Sequence, residues 1–191
     1  MEEMVAVLKK AAAALRDAGV PYALAGGFAL WTRGAPPSAH DVDFVLKEED
    51  VERALAALEA AGLRTDDPPE GWLVKAWAGD VMVDLIFRPN GQPVDDDLLD
   101  RADEIEVEAM SMKVLLPEDV LAAKLLALSE HSLDFAGVLE PARSLREQVD
   151  WDDVREKTSS SPFARAFFTM AEGLDIVPTA ADVSAGGRDG R

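Results

Sequence analysis

The chain has 191 residues, 37 acidic against 19 basic, for a formal charge of −18. Its length allows one compact domain or a small core with a helical annex, and no apolar run approaches the roughly 20 residues of a membrane span. The charge argues against non-specific DNA binding, though a docked RNA end stays open, and the zero cysteine count argues against a disulfide framework and thiolate chemistry, which suits a reducing cytoplasm.

Met1-Glu2-Glu3-Met4 is acidic, unlike the basic start of a secretory signal. Val5, Leu8, Ala12 and Leu15 recur at helical spacing, which predicts a helix from Glu3 to Asp17 ended by Gly19. Pro21 to Ala25 reads as a short strand, Gly26-Gly27 as a turn, and Phe28 to Trp31 as the start of a short helix. A loop, Gly34 to Ser38, leads into Asp41-Val42-Asp43-Phe44-Val45-Leu46, a strand whose alternation sets Asp41 and Asp43 on one face. Asp50 to Ala61 is an amphipathic helix closed by Gly62. Trp72 to Trp77 and Val81 to Phe87 read as two strands of a hairpin around Ala78-Gly79-Asp80.

Beyond Arg88 the composition shifts. Asp95-Asp96-Asp97 begins an acidic stretch, and Ile105 to Leu116 offers one or two short strands. Pro117-Glu118-Asp119 starts a helix, with proline in the first turn and acids complementing the dipole. From Pro141 onward the reading is helical, with Ser161-Pro162 opening a helix to Leu174. These elements predict an α+β fold, a mixed sheet flanked by helices and followed by a C-terminal helical region. We divide it into a catalytic core over residues 1–90, accessory strands and helices over 91–177, and a disordered tail over 178–191.

Asp84 interrupts the otherwise apolar strand Val81 to Phe87. A carboxylate buried in a strand costs several kcal/mol unless it is paired, and a divalent metal shared with Asp41 and Asp43 would remove that penalty. Taken singly, Asp41 and Asp43 read more readily as exposed acids on an edge strand, and Gly26-Gly27 as an ordinary turn.

Ala25-Gly26-Gly27, thirteen intervening residues, Asp41-Val42-Asp43-Phe44 and the later Asp84 together resemble the nucleotidyltransferase superfamily, with its polymerase-beta-like fold. The resemblance implies transfer of an NMP from an NTP to an acceptor hydroxyl, with pyrophosphate released. It implies two Mg2+ ions, or Mn2+, held by Asp41, Asp43 and Asp84, with Asp84 also beside the attacking hydroxyl. Gly26 and Gly27 would bring backbone N–H groups to the phosphates. Many members carry Ser where Gly27 stands, so Ser38 is a further phosphate candidate here.

Leu116 to Leu128 followed by Asp134 resembles the Pro-Glu-Asp … Lys-Leu … Asp segment of toxin-type nucleotidyltransferases of bacterial toxin–antitoxin pairs. That implies Lys124 as a phosphate ligand, Asp134 as its orienting partner, the tRNA 3′ end as acceptor and a cognate antitoxin protein. Lys124 reads equally as a solvated charge on an amphipathic helix. The acidic charge raises a small-molecule, aminoglycoside-like acceptor, for which Asp95 to Asp97 or Glu104, Glu106 and Glu108 are the recognising acids. A protein hydroxyl is a third acceptor, and a non-catalytic binding protein of the same fold is the competing class. Arg33 and His40 flank the loop before Asp41 and read as a surface charge and a loop residue.

Overall fold

The computed structural model describes residues 1–37, 41–66 and 71–179. These form two compact units, one made of Met1–Arg33 and Pro37–Leu116, the other of Gly34–Pro36 and the chain from Pro117.

In the first unit, α1 (Glu2–Asp17) buries Val7, Leu8, Ala11, Ala12 and Leu15 along one stripe, as its apolar spacing requires. The strands β1 (Tyr22–Leu24), β2 (Asp41–Leu46), β3 (Arg64–Asp66), β4 (Leu73–Ala78), β5 (Val81–Ile86), β6 (Asp103–Val107) and β7 (Met110–Val114) build one sheet in the order β3-β4-β5-β2-β1-β7-β6. β2 runs parallel to β5 and β1 parallel to β7, while the other neighbours are antiparallel. The mixed α+β sheet expected from the sequence is therefore present, and β6 and β7, expected as accessory strands, lie in the same sheet and the same unit.

Helices α1 and α3 (Val51–Ala60) pack together, α1 over β2 and β5 and α3 beside β3 and β4. The Tyr22 hydroxyl donates to the Ala12 carbonyl at 3.1 Å, and its ring meets Phe44 edge-on at 5.2 Å. Burial pushes the Tyr22 phenol above its ordinary value. Val42, Phe44 and Leu46 are fully buried; each such side chain contributes about 1.5–3 kcal/mol. Because strand residues alternate, committing Phe44 to the α1 side turns Asp41 and Asp43 to the other face.

A short helix, α4 (Asp96–Asp100), takes the acidic stretch that sequence reading left without an element. Asp95 caps it, accepting the Leu98 N–H at 2.8 Å.

The second unit contains α5 (Pro117–Leu126), α6 (Ala136–Leu145), α7 (Trp151–Lys157) and α8 (Pro162–Gly173), with α6, α7 and α8 each packed on α5. Its Pro-Glu-Asp start has structural duties. Buried Glu118 accepts the Asp150 backbone N–H at 2.8 Å, just before α7, and Asp119 pairs with Lys157 at 2.8 Å. We expect Glu118→Ala to lower stability by about 1–3 kcal/mol in urea unfolding, because a buried N–H loses its acceptor, and Glu118→Gln to recover most of that loss. Ser161 caps α8 by accepting the Ala164 N–H, as its Ser-Pro start predicts. α6 begins five residues before Pro141 and carries that proline inside it, whereas the sequence reading began at the proline. Residues 180–191 of the expected tail lie outside the described residues. Among the described residues no helix is long and apolar enough to cross a membrane.

Candidate active site

Parallel pairing of β2 with β5 sets Asp43 directly opposite Asp84, with Asp41 two residues back on the same face. Neighbouring strands lie about 4.8 Å apart, so side chains at paired positions meet. Asp41, Asp43 and Asp84 each offer a carboxylate oxygen, and those oxygens lie within 4.8 Å of one another. Asp84 is buried, whereas Asp41 and Asp43 are half-buried. The cluster therefore opens toward solvent on the β2 side. Hard carboxylate oxygens brought this close fit a Mg2+ or Mn2+ ion, and they repel one another without a cation.

The glycine turn is built against this cluster. β1 pairs antiparallel with β2, and the chain leaving β1 donates the Ala25 N–H to the Asp43 carbonyl at 2.8 Å. Gly26 then adopts φ +58 as the first residue of α2 (Gly26–Trp31). A Cβ on Gly26 would overlap Oδ2 of Asp43 and lie 2.6 Å from its Cγ and 2.9 Å from its Cβ. Only glycine lets the backbone approach that carboxylate so closely. Gly27 is half-buried at the second position of the helix.

Sequence reading missed one residue here. Lys75 on β4 lies opposite Asp84 in the antiparallel β4–β5 pair. Its Nζ donates to Asp84 Oδ1 at 2.9 Å and Oδ2 at 3.2 Å, and contacts Met82 Sδ at 3.3 Å. The three-residue turn read from the sequence, Ala78-Gly79-Asp80, would set Lys75 opposite Val83; the structure closes the hairpin one residue tighter. With Gly79-Asp80 as the turn, Ala78 pairs Val81, and three steps further on each side pair Lys75 with Asp84.

The remaining candidates scatter. Ser38 and His40 lie outside the described residues. Lys124 is half-buried on α5 and Asp134 is exposed; both belong to the second unit. The Asp134 carboxylate accepts the Gly137 N–H at 3.1 Å in the first turn of α6, a capping duty. Arg33 is held by Asp103 at 2.8 Å and by the Leu115 carbonyl at 3.2 Å. Of the acids considered for acceptor recognition, Asp96 pairs with Lys47 at 2.9 Å and Glu104 accepts the Ser111 hydroxyl at 2.7 Å. Glu106 is exposed on the edge strand β6.

Comparison with solved structures supports the same fold. The antibiotic-resistance factor ANT(2'')-Ia in solution superposes with a TM-score of 0.62 at 15% identity, covering 91% of this chain and 97% of the other. A crystal structure of ANT(2'')-Ia in complex with adenylyl-2''-tobramycin gives 0.58 at 15% identity, covering 85% and 98%. An antigenic nucleotidyltransferase-like protein from Paracoccidioides brasiliensis gives 0.55 at 14% identity, covering 96% and 97%. At these identities the likeness is one of fold. A search of the curated proteins finds no match. The profile described as "Uncharacterised nucleotidyltransferase" matches residues 2–175, and with its acidic cluster and its sheet this chain belongs to that nucleotidyltransferase family.

Proposed function

We propose that the protein transfers an NMP from an NTP to the hydroxyl of a small cationic acceptor, using divalent metal held by Asp41, Asp43 and Asp84. The observation that carries this reading is the convergence of those three carboxylates against the Gly26 turn. A bound Mg2+ or Mn2+ pair would neutralise the triphosphate and the developing charge. Asp41 and Asp43 would hold the cation and orient the phosphates. Asp84 would contribute the third ligand and stand beside the acceptor, positioning its hydroxyl or taking its proton. The acceptor oxygen bonds to the α-phosphorus, the bond to the bridging oxygen of the β-phosphate breaks, and pyrophosphate leaves. Gly26 and Gly27 keep Cβ atoms out of the approach to the phosphates. A need for NTP supports a cytoplasmic location.

The cationic acceptor is favoured by the charge of −18, which attracts polyamines and repels nucleic acid. The fold shared with ANT(2'')-Ia over nearly both whole chains supports it further. A second reading, a toxin that modifies the tRNA 3′ end and is held by an antitoxin, draws on the Pro117 to Asp134 segment, with Lys124 contacting phosphate. Its Pro-Glu-Asp portion has a structural explanation in the pairing of Glu118 and Asp119 with the start and end of α7.

The test supplies each α-32P-labelled NTP with Mg2+ to tobramycin-type aminoglycosides and, separately, to total tRNA. Label on the aminoglycoside supports the first reading, and label on tRNA with growth arrest on expression supports the second. No label on any acceptor, with no NTP binding even in Mn2+, would leave a non-catalytic module. Chelation with EDTA is expected to abolish transfer, and added Mg2+ or Mn2+ to restore it.

A further inference from the structure

We infer that Lys75 is the site's own counter-cation, holding Asp84 in the metal-free protein so that a divalent ion gains Asp84 only by displacing the ammonium. The inference rests on the assignment of Asp41, Asp43 and Asp84 as the metal-holding set. Both Asp84 oxygens already accept from Lys75, at 2.9 and 3.2 Å. The Asp84 side chain is 9% exposed and that of Lys75 is 22% exposed, so water screens the pair little. Taken by themselves, the three carboxylates and the Lys75 ammonium carry a formal charge two units negative, which matches a single divalent ion on half-buried Asp41 and Asp43. A second ion on Asp84 would meet the ammonium at close range, and at a shielded site that repulsion is strong.

The consequence is an order of loading. Without nucleotide, the site takes one divalent ion and Asp84 stays with Lys75. An arriving triphosphate brings the negative charge that allows a second ion onto Asp84, and it offers the released ammonium a new anion. Lys75 is thus a positioning residue that acts through Asp84 and couples metal loading to nucleotide. A purely structural ion pair has a different signature: its loss would weaken the fold without changing affinity for metal.

The experiment titrates Mn2+ against the nucleotide-free protein and reads free Mn2+ by electron paramagnetic resonance. Lys75→Gln keeps an N–H donor for Asp84 and removes the charge, whereas Lys75→Arg keeps the charge. Lys75→Gln is expected to bind Mn2+ at least about tenfold more tightly than the parent, and Lys75→Arg within about twofold of it. In EDTA, Lys75→Gln should melt several degrees below the parent, and saturating Mn2+ should close that gap. Equal or weaker Mn2+ binding by Lys75→Gln, or a melting deficit that Mn2+ leaves in place, would overturn the inference. Failure of all three proteins to bind Mn2+, even with a non-hydrolysable ATP analogue, would remove the metal assignment itself and this inference with it.

Discussion

Asp43→Asn is expected to reduce nucleotidyl transfer by about 10²–10³-fold while leaving the metal-free protein folded. Asp43 sits at the centre of the site. It faces Asp84 across the β2–β5 pair, and the Gly26 backbone presses against its carboxylate. Replacing it by an isosteric amide removes one of three anionic ligands, and losing one preorganised electrostatic contact of this kind commonly costs 10²–10³ in rate. The stability effect has the opposite direction. Without metal, the cluster holds carboxylate oxygens within 4.8 Å of one another, and deleting one charge relieves repulsion. The melting temperature in EDTA should hold or rise, and the Mn2+-induced gain should shrink. Asp41→Asn should follow the same pattern. A variant that loses helicity and solubility would instead make the acid structural.

Gly26→Ala should damage activity nearly as much, although it removes no functional group. The added methyl would overlap Oδ2 of Asp43 and crowd its Cγ at 2.6 Å. Either the carboxylate swings away from Asp41 and Asp84, or the turn between β1 and α2 opens. Displacing a metal ligand by about 1 Å costs on the order of 10² in rate. A φ of +58 adds about 1–2 kcal/mol of backbone strain for a residue with a Cβ. The variant should therefore show lowered thermal stability and weakened Mn2+ binding together. Asp43→Asn separates those two effects, so the pair of variants tells ligand displacement from ligand loss. Gly34, also at positive φ, has no atom of the described residues within 4 Å of its missing Cβ, and Gly34→Ala should pay only the backbone term and leave Mn2+ binding unchanged.

The acids were legible in the sequence because strand alternation fixes their facing and because a carboxylate within the apolar run Val81 to Phe87 needs a reason to be there. Lys75 was hidden by the hairpin register: a three-residue turn, Ala78-Gly79-Asp80, sets Lys75 opposite Val83, whereas the two-residue turn of the structure pairs Ala78 with Val81 and Lys75 with Asp84. Two elements left little trace. β3 is Arg64-Thr65-Asp66, three polar residues at the sheet edge whose place depends on pairing with β4. α4 spans five residues, and its Asp95 cap with Asp96 and Asp97 in the first turn looked like a plain acidic run. The start of α6 was hidden by Pro141, which ordinarily marks a first turn and here is buried mid-helix. Duties of single residues in the second unit were also opaque. Asp134 and Glu118 read as site or dipole acids; Asp134 accepts the local N–H of Gly137, three residues on, and Glu118 accepts that of Asp150, which only tertiary structure brings near.

The proposed chemistry depends on Asp41, Asp43 and Asp84 holding divalent metal jointly at the Gly26 turn. The most direct measurement is a crystal structure grown with Mn2+ and a non-hydrolysable NTP analogue, with anomalous diffraction locating the metal. Anomalous density ligated by all three carboxylates is expected, with the triphosphate beside Gly26 and Gly27. Manganese bound elsewhere, or the three side chains left without metal while nucleotide occupies another surface, would contradict it.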